Sequence, residues 1–183
     1  YQALQDSSIL ALANQNASFL KSLVKDGKLY RFQDKDLEGF MEDYAAVIQG
    51  FIKYYETTLD RSFLELAETL TLRVEEAFYD ESENLYFFSS EENASLIARK
   101  KELFDNVIPS SNSLMAWNLV HLGTHFYDDA MTQKGQSVLA QTKGLIIQES
   151  EYMSNWGMLA LELSESFAEV IVVGPKAKEF VNE

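Results

Sequence analysis

The chain contains no cysteine among its 183 residues. It can therefore form no disulfide, hold no thiolate metal site and supply no thiol nucleophile, which excludes thiol redox chemistry. This composition fits a reducing compartment, and we expect a cytoplasmic location. We expect no cofactor.

Basic residues are scarce, because 15 Lys and Arg stand against 29 Asp and Glu, for a net charge of −14. Nucleic-acid binding needs clustered cations, so DNA, RNA and anionic membrane surfaces are excluded as main partners. No apolar run approaches the roughly 18–20 residues of a membrane helix. No charged and then apolar leader stands at the front, and we expect a soluble protein. Since the sequence opens on Tyr1 rather than Met, we expect it to be part of a longer chain.

The chain is 46% hydrophobic, which at this length is enough for one globular domain with a core. Apolar residues recur at helical spacing in six segments, at 1–24, 37–57, 60–78, 109–126, 128–148 and 154–167. The Asp26-Gly27 pair predicts a turn before a short strand at 29–32. Aromatic and β-branched runs predict further strands at 85–89 and 169–175.

One stretch, 104–118, places a charged residue, a proline, three serines and an amide directly before a helix that is almost wholly apolar. Pro109 fits the first helical turn, and Ser110 and Asn112 can satisfy the free backbone donors there. A helix N-terminus also attracts anions and polar ligands. The simpler interpretation is a well-capped helix.

Other polar residues stand near helix ends. Glu42 and Asp43 lie at the front of the second helix, where acids also complement the helix dipole. Arg99 belongs to a small basic group and could hold the carboxylate of Asp105 or of a substrate, or could simply be solvated. His121 and His125 are four residues apart, but no H-E-x-x-H glutamate and no third ligand accompany them, so we expect no metal site.

Six helices of about twenty residues, alternating between covering and enclosed types, predict three helical hairpins. Repeated hairpins of this kind are typical of an α/α toroid, in which inner helices surround a central cleft. Three hairpins make half of a six-hairpin ring. The expected fold class is therefore mainly α, a partial (α/α)6-type toroid with short β elements.

An ordered series of short motifs carries a family resemblance. The motifs, in chain order, are Phe40 to Ala45, Thr57, Leu64 to Ala67, Phe78 to Asp80, Tyr86 to Phe88, Arg99 with Lys101, Asp105 with Pro109 to Ser113, and Ile171 to Gly174. In this series the chain resembles the thioredoxin-domain-containing proteins of the YyaL type, the relatives of spermatogenesis-associated protein 20.

That resemblance implies a fold like those of the six-hairpin glycosidases and the N-acylglucosamine 2-epimerases. It also implies that residues 1–183 form a single domain, the later half of the toroid that follows a thioredoxin-like domain in this family. Two family glycines are replaced here, by Asn106 and Ser111, which affects backbone geometry more than chemistry.

In a toroid of this family the ends of the inner helices line the cleft, so the resemblance implies a set of site residues. The catalytic candidates are the acids Asp43, Asp105 and Glu42, which could act as general acid and base on a sugar-like substrate. The substrate-binding candidates are Tyr44, Arg99, Ser110 and Asn112. We do not expect epimerase activity, because His121 and His125 do not match the positions of the histidines that serve as acid and base in the epimerases.

Two functions follow. The first is a toroid portion of a thioredoxin-domain-containing protein that binds or processes a sugar-like substrate, as a carbohydrate-active isomerase or hydrolase that would be inactive as a fragment. The alternative is a noncatalytic scaffold that binds a protein or peptide for the thioredoxin domain. A half ring should also expose apolar inner faces, and we expect it to form a homo-oligomer through them.

Overall fold

A computed structural model describes residues 4, 6–34, 36–92, 99–165, 172–175 and 177. The described residues form seven α-helices: α1 (Ser7–Ser22), α2 (Met41–Thr58), α3 (Arg61–Ala77), α4 (Ser111–Phe126), α5 (Asp129–Gln141), α6 (Lys143–Gln148) and α7 (Ser154–Ser164). Two hairpins accompany them, β1 (Val24–Lys25) with β2 (Lys28–Leu29), and β3 (Tyr79–Asp80) with β4 (Leu85–Tyr86). In this part of the chain no helix is both long and apolar enough to cross a membrane.

Side-chain caps define where several helices begin. Asp6, Asp60 and Asp128 each accept a hydrogen bond from a backbone N–H of the first turn of α1, α3 and α5. Ser110 caps α4, so Pro109 lies just outside the helix instead of in its first turn as the sequence predicted. The prediction of a capped helix is confirmed, and its start moves by two residues.

The helices alternate in direction. A two-residue connection joins α2 to α3, and another joins α4 to α5, so each pair is antiparallel. Asn118 in α4 donates to the carbonyl of Ala45 in α2, and near their C-terminal ends His125 contacts Glu56, so α2 and α4 are parallel. Asn155 at the start of α7 donates to Ser113 at the start of α4, and Glu162 further along α7 lies 2.7 Å from His121 of α4, so these two helices are also parallel.

Two layers result from this alternation. Helices α2, α4 and α7 run parallel and form one layer, which we call the inner layer. Helices α1, α3 and α5 run the other way and cover it. Tyr54 near the end of α2 donates to Asn14 midway along α1, and Leu20 near the end of α1 lies beside Asp43 at the start of α2. Both faces of α4 are covered, and most of its side chains are buried.

The two ends of the layers are built differently. At the C-terminal ends of the inner helices, Leu59 and Tyr127 adopt the left-handed conformation that closes the tight connections. At the N-terminal ends lie the long connections with their hairpins. The predicted Asp26-Gly27 turn is confirmed, since both residues have positive φ angles and Lys25 pairs with Lys28. We call this second end the loop-bearing end.

Several predicted elements differ in the structure. The strands predicted at 29–32 and 85–89 are shorter, since β2 ends at Leu29 and β4 ends at Tyr86. The predicted helix at 128–148 is two helices, because the chain breaks at the buried Thr142. The helix predicted from residue 37 begins at Met41, where Phe40 occupies the N-cap. In the strand predicted at 169–175, Val172 and Val173 are exposed and form no strand, while residues 169–171 lie outside the described part.

The closest helix packing predicts a difference between two glycines. A Cβ at Gly135 of α5 would lie 2.7 Å from the carbonyl oxygen of Ala116 and 2.9 Å from Val120 Cγ2, whereas one at Gly50 of α2 would meet nothing within 4 Å. We expect Gly135→Ala to lower the free energy of unfolding by about 1–3 kcal/mol. Gly50→Ala should raise it by about 0.5–1 kcal/mol, since alanine favours a helix interior. Urea denaturation of both variants measures the difference, and equal effects would contradict the packing.

Candidate functional site

Two adjoining cavities open at the loop-bearing end, and Glu42 lines both. One, of about 670 Å³, lies between α1, the first hairpin and α2. The other, of about 460 Å³, lies between the start of α2 and the chain before α4. The polar side chains that line them are Arg31, Glu42, Asp43, Lys100, Lys101, Glu102, Asn106 and Ser110.

Glu42 differs from the other candidate acids in its contacts. It lies in the first turn of α2, half-buried, and makes no hydrogen bond or ion pair with any residue that the structure describes. Partial burial raises its pKa most, and the negative charges of Asp43 and Glu102 raise it further, whereas the positive charges of Arg31 and Lys100 offset part of the rise. A protonated carboxyl at this position can donate a proton to a ligand in either cavity.

Asp43, the next residue, is engaged by its own helix. Its Oδ2 accepts a hydrogen bond of 2.8 Å from the backbone N–H of Phe40 and lies 3.3 Å from Nε of Arg31. These contacts fix the start of α2. The sequence prediction of a helix-terminal acid is confirmed, and the carboxylate remains beside the cavity with Arg31 as its partner.

Tyr44 faces the interior. Its hydroxyl donates to Oε1 of Glu38 at 2.8 Å and accepts from the N–H of Leu29 at 2.9 Å. Burial raises the pKa of this phenol far above its ordinary value. Glu38 is in turn held by Arg73 at 2.9 Å, so Tyr44 fastens the hairpin and its following loop to the helices. Tyr44 is fully buried and lines neither cavity.

Asp105 is buried, with 7% of its surface exposed, and joins two helices. Its Oδ1 accepts from the N–H of Ser110 at 2.9 Å and from the hydroxyl of Ser113 at 3.2 Å. Its Oδ2 accepts from the N–H of Asn155 at 2.8 Å. This carboxylate therefore holds the starts of α4 and α7 together, and both of its oxygens are used.

Asn112 and Ser110 are also bonded within the protein. The amide of Asn112 accepts from the N–H of Tyr86 at 2.8 Å and donates to the carbonyls of Tyr86 and Glu102, at 2.9 and 3.0 Å. Ser110 accepts from the N–H of Ser113 at 3.3 Å and lines the smaller cavity. Asn112 thus fixes the second hairpin against α4.

Arg99 does not hold Asp105, so one of the three possibilities given for its guanidinium is wrong. Its guanidinium donates to the carbonyls of Ser89 and Ala77, at distances between 2.7 and 3.1 Å, and stacks over the ring of Phe87. These bonds join the end of α3 to the segment that follows β4.

Sequence reasoning missed the cations beside Glu42. Phe40 and Phe88 stack with their ring centroids 5.0 Å apart, Arg31 lies over Phe40, and Lys100 lies over Phe88. Lys100 also pairs with Glu102 at 3.1 Å. The aromatic run at 85–89 and the basic group at 99–101 were visible in the sequence, but the contact between them was not.

The two histidines lie at the opposite end of the inner layer. His125 Nε2 and His121 Nδ1 lie 3.2 and 3.8 Å from Oε1 of Glu56. Burial would raise the pKa of Glu56, but hydrogen bonds from the histidines and Lys53 lower it. No group of three or more His, Asp or Glu among the described residues could hold a metal ion.

Comparisons show which known proteins the chain is similar to. It is 34% identical to spermatogenesis-associated protein 20 of Mus musculus over 135 residues. The aligned region covers 66% of this chain and 17% of that protein. The chain is 39% identical over 85 residues to the Homo sapiens protein of the same name, covering 46% of the chain and 11% of that protein. The resemblance to this family is confirmed. No family model matches the chain.

A solved structure shows the fold. The chain superposes on a GH76 α-mannanase from Bacteroides thetaiotaomicron with a TM-score of 0.66 at 19% sequence identity, over 79% of this chain and 40% of that one. The predicted fold class, a partial α/α toroid, is therefore confirmed. The chain spans between 11% and 17% of the length of the spermatogenesis-associated protein 20 sequences it matches.

The contacts of Asp105 predict a large effect of a small change. In Asp105→Asn, an NH₂ group would face the N–H of either Ser110 or Asn155, which leaves a buried donor without an acceptor. We expect a loss of about 2–4 kcal/mol in the free energy of unfolding. Asn106→Ala, at the exposed neighbouring residue, is the control and should change it by less than about 0.5 kcal/mol. Urea denaturation measures the free energy of unfolding of both variants. Similar losses in the two would contradict the role of Asp105.

The environment of Glu42 predicts a pH dependence. Because the folded state raises its pKa above the ordinary 4.5, the ionised carboxylate opposes folding, and this cost grows as the pH rises through the folded pKa. We expect Glu42→Gln to raise Tm at neutral pH, with the gain vanishing below about pH 4, where both states are protonated. Calorimetry over this pH range measures it, and a variant less stable at neutral pH would show that the carboxylate is favourably paired.

Proposed function

We propose that the loop-bearing end of this toroid is a ligand cleft for a sugar-like substrate, with Glu42 as its central polar group. The observation that carries the proposal is the position of Glu42 between two cavities, without a partner among the residues described. The other predicted acids, Asp43 and Asp105, are bonded to helix N-termini. Glu42 therefore retains the capacity to bind or protonate a ligand.

The chemistry we propose for Glu42 is general acid catalysis. A raised pKa keeps part of the carboxyl population protonated at higher pH, as a proton donor to a glycosidic or hydroxyl oxygen requires. Asp43 contributes a fixed neighbouring negative charge, held in place by Phe40 N–H and Arg31. Lys100, Glu102 and Asn106 supply further polar groups for sugar hydroxyls along the smaller cavity.

The remaining predicted residues take positioning roles in this proposal. Asp105 and Asn112 fix the chain that forms the wall of the smaller cavity, and Ser110 lies in that wall. Tyr44 and Arg99 hold the two hairpins against the helices on either side. Substitution of these residues should change stability first and ligand binding second.

The similarity of fold supports a carbohydrate as the ligand class. The structure that superposes on this chain is a GH76 α-mannanase, and the proposal takes its ligand class from that protein by analogy of fold. A second candidate, docking of a protein or peptide, is favoured by the exposed Val107 and Ile108 on the rim.

A thermal-shift experiment tests the proposal. The protein is melted with neutral monosaccharides, amino sugars and α-linked mannose disaccharides. A sugar at ten times its Kd should raise Tm by about 3–5 °C. Glu42→Gln should reduce or abolish that rise.

The control is Glu65→Gln, which makes the same change on α3, where Glu65 is exposed and pairs with Arg61. This variant should respond to the sugar as the original chain does. A rise that survives in Glu42→Gln would place the sugar elsewhere. No rise with any sugar would overturn the carbohydrate proposal and favour the docking of a protein or peptide.

A further inference from the structure

A third cavity, of about 480 Å³, adjoins the two cavities beside Glu42. It lies between the chain before α4 and the segment that leads from α6 to α7, and Phe104 and Asn106 line both this cavity and the smaller of the first two. Glu42 and Ile108 in turn line both the smaller cavity and the larger one. The three cavities therefore form one groove, which passes the starts of α2, α4 and α7.

Two aromatic rings form a wall of the third cavity. The rings of Phe104 and Tyr152 pack edge to face, with their centroids 6.4 Å apart and their planes at 87°. Each of the two residues is 49% exposed, so the pair offers flat apolar surface to a ligand in the groove. Such surface suits a pyranose ring, which has C–H groups on its faces and hydroxyls around its edge.

The backbone that carries the two rings is fixed from both sides. The N–H of Asp105 donates to the carbonyl of Tyr152 at 2.7 Å, and the indole of Trp156 donates to the carbonyl of Leu103 at 2.7 Å. The carboxylate of Asp105 also bonds to the starts of α4 and α7. The aromatic wall is therefore in place before a ligand binds, which lowers the entropic cost of binding.

The cations that line the groove already have acidic partners. Arg31 lies 3.3 Å from the carboxylate of Asp43, and Lys100 lies 3.1 Å from that of Glu102. Lys101 is paired with two further carboxylates. A groove with paired charges and an aromatic wall favours a neutral ligand with many hydroxyls over a phosphate or a highly charged peptide.

We propose that this groove binds a linear, neutral oligosaccharide of at least three units, and that Phe104 and Tyr152 stack on a unit beyond Glu42. The inference rests on the function proposed above and specifies its ligand, a chain of sugars that passes Glu42 with units on both sides. Each cavity falls within the range of about 300–1,000 Å³ found for small-ligand sites, so each can accept at least one unit.

Isothermal titration calorimetry with α-linked mannose oligosaccharides of one to four units tests the proposal. The Kd of the four-unit chain should be about tenfold lower than that of the two-unit chain, because only the longer chain reaches the aromatic wall. Tyr152→Leu should remove most of this gain, since the flat ring is lost. Tyr152→Phe keeps the ring and should retain the gain.

The matched control is Tyr127→Leu, which removes a 77% exposed tyrosine at the opposite end of α4 and should also retain the gain. Circular dichroism shows whether each variant is folded. A gain that is lost in Tyr127→Leu as well, or that survives in Tyr152→Leu, would overturn the aromatic subsite.

The remaining outcomes separate this inference from the proposed function. If mannose and its disaccharide bind but the longer chains bind no more tightly, the oligosaccharide groove is wrong and the sugar cleft at Glu42 stands. If none of the four binds, this inference is overturned, and the thermal-shift experiment with the other sugars then decides whether the sugar cleft is wrong too.

Discussion

The buried carboxylate of Asp105 fixes the geometry on which the loop-bearing end depends. Through Ser110 N–H and Asn155 N–H it brings the first turns of α4 and α7 together, although the two residues are 45 positions apart in the chain. Charge-assisted bonds to backbone donors are short and directional, so they hold a loop more firmly than apolar contact does. The second hairpin is fixed to the same place by Asn112, and the cavities beside Glu42 form between these anchored segments.

Much of the fold could be predicted from local pattern. The apolar stripe of α3 and the caps at Asp60 and Ser110 are local signals, and they placed helices within a few residues. The break at Thr142 and the exposed Val172 and Val173 could not be predicted this way, because they depend on what the chain packs against. Tertiary packing overrides propensity most easily where a segment is short.

The sequence placed its candidate residues near the N-terminal ends of helices, and Glu42, Asp43, Asp105 and Ser110 all lie at the loop-bearing end. The sequence could not predict which acid lacks a hydrogen-bond or ion-pair partner, because these partners come from distant segments. Arg31 pairs with Asp43, and Asn155 donates to Asp105. Glu42 and Asp43 both lie in the first turn of α2, but only Asp43 and Asp105 accept hydrogen bonds from backbone N–H groups. A carboxylate without such bonds keeps the capacity to act on a ligand.

The proposed cleft depends on the state of one carboxyl group, and an NMR-monitored pH titration of the Glu42 side chain measures it directly. A midpoint above the ordinary 4.5 is expected, together with a further change when a sugar identified by its effect on Tm is added, while Glu65 stays unaffected. A Glu42 midpoint at or below 4.5 would contradict a partly desolvated carboxyl between two acidic neighbours, and with it the assignment of Glu42 as the proton donor of the cleft.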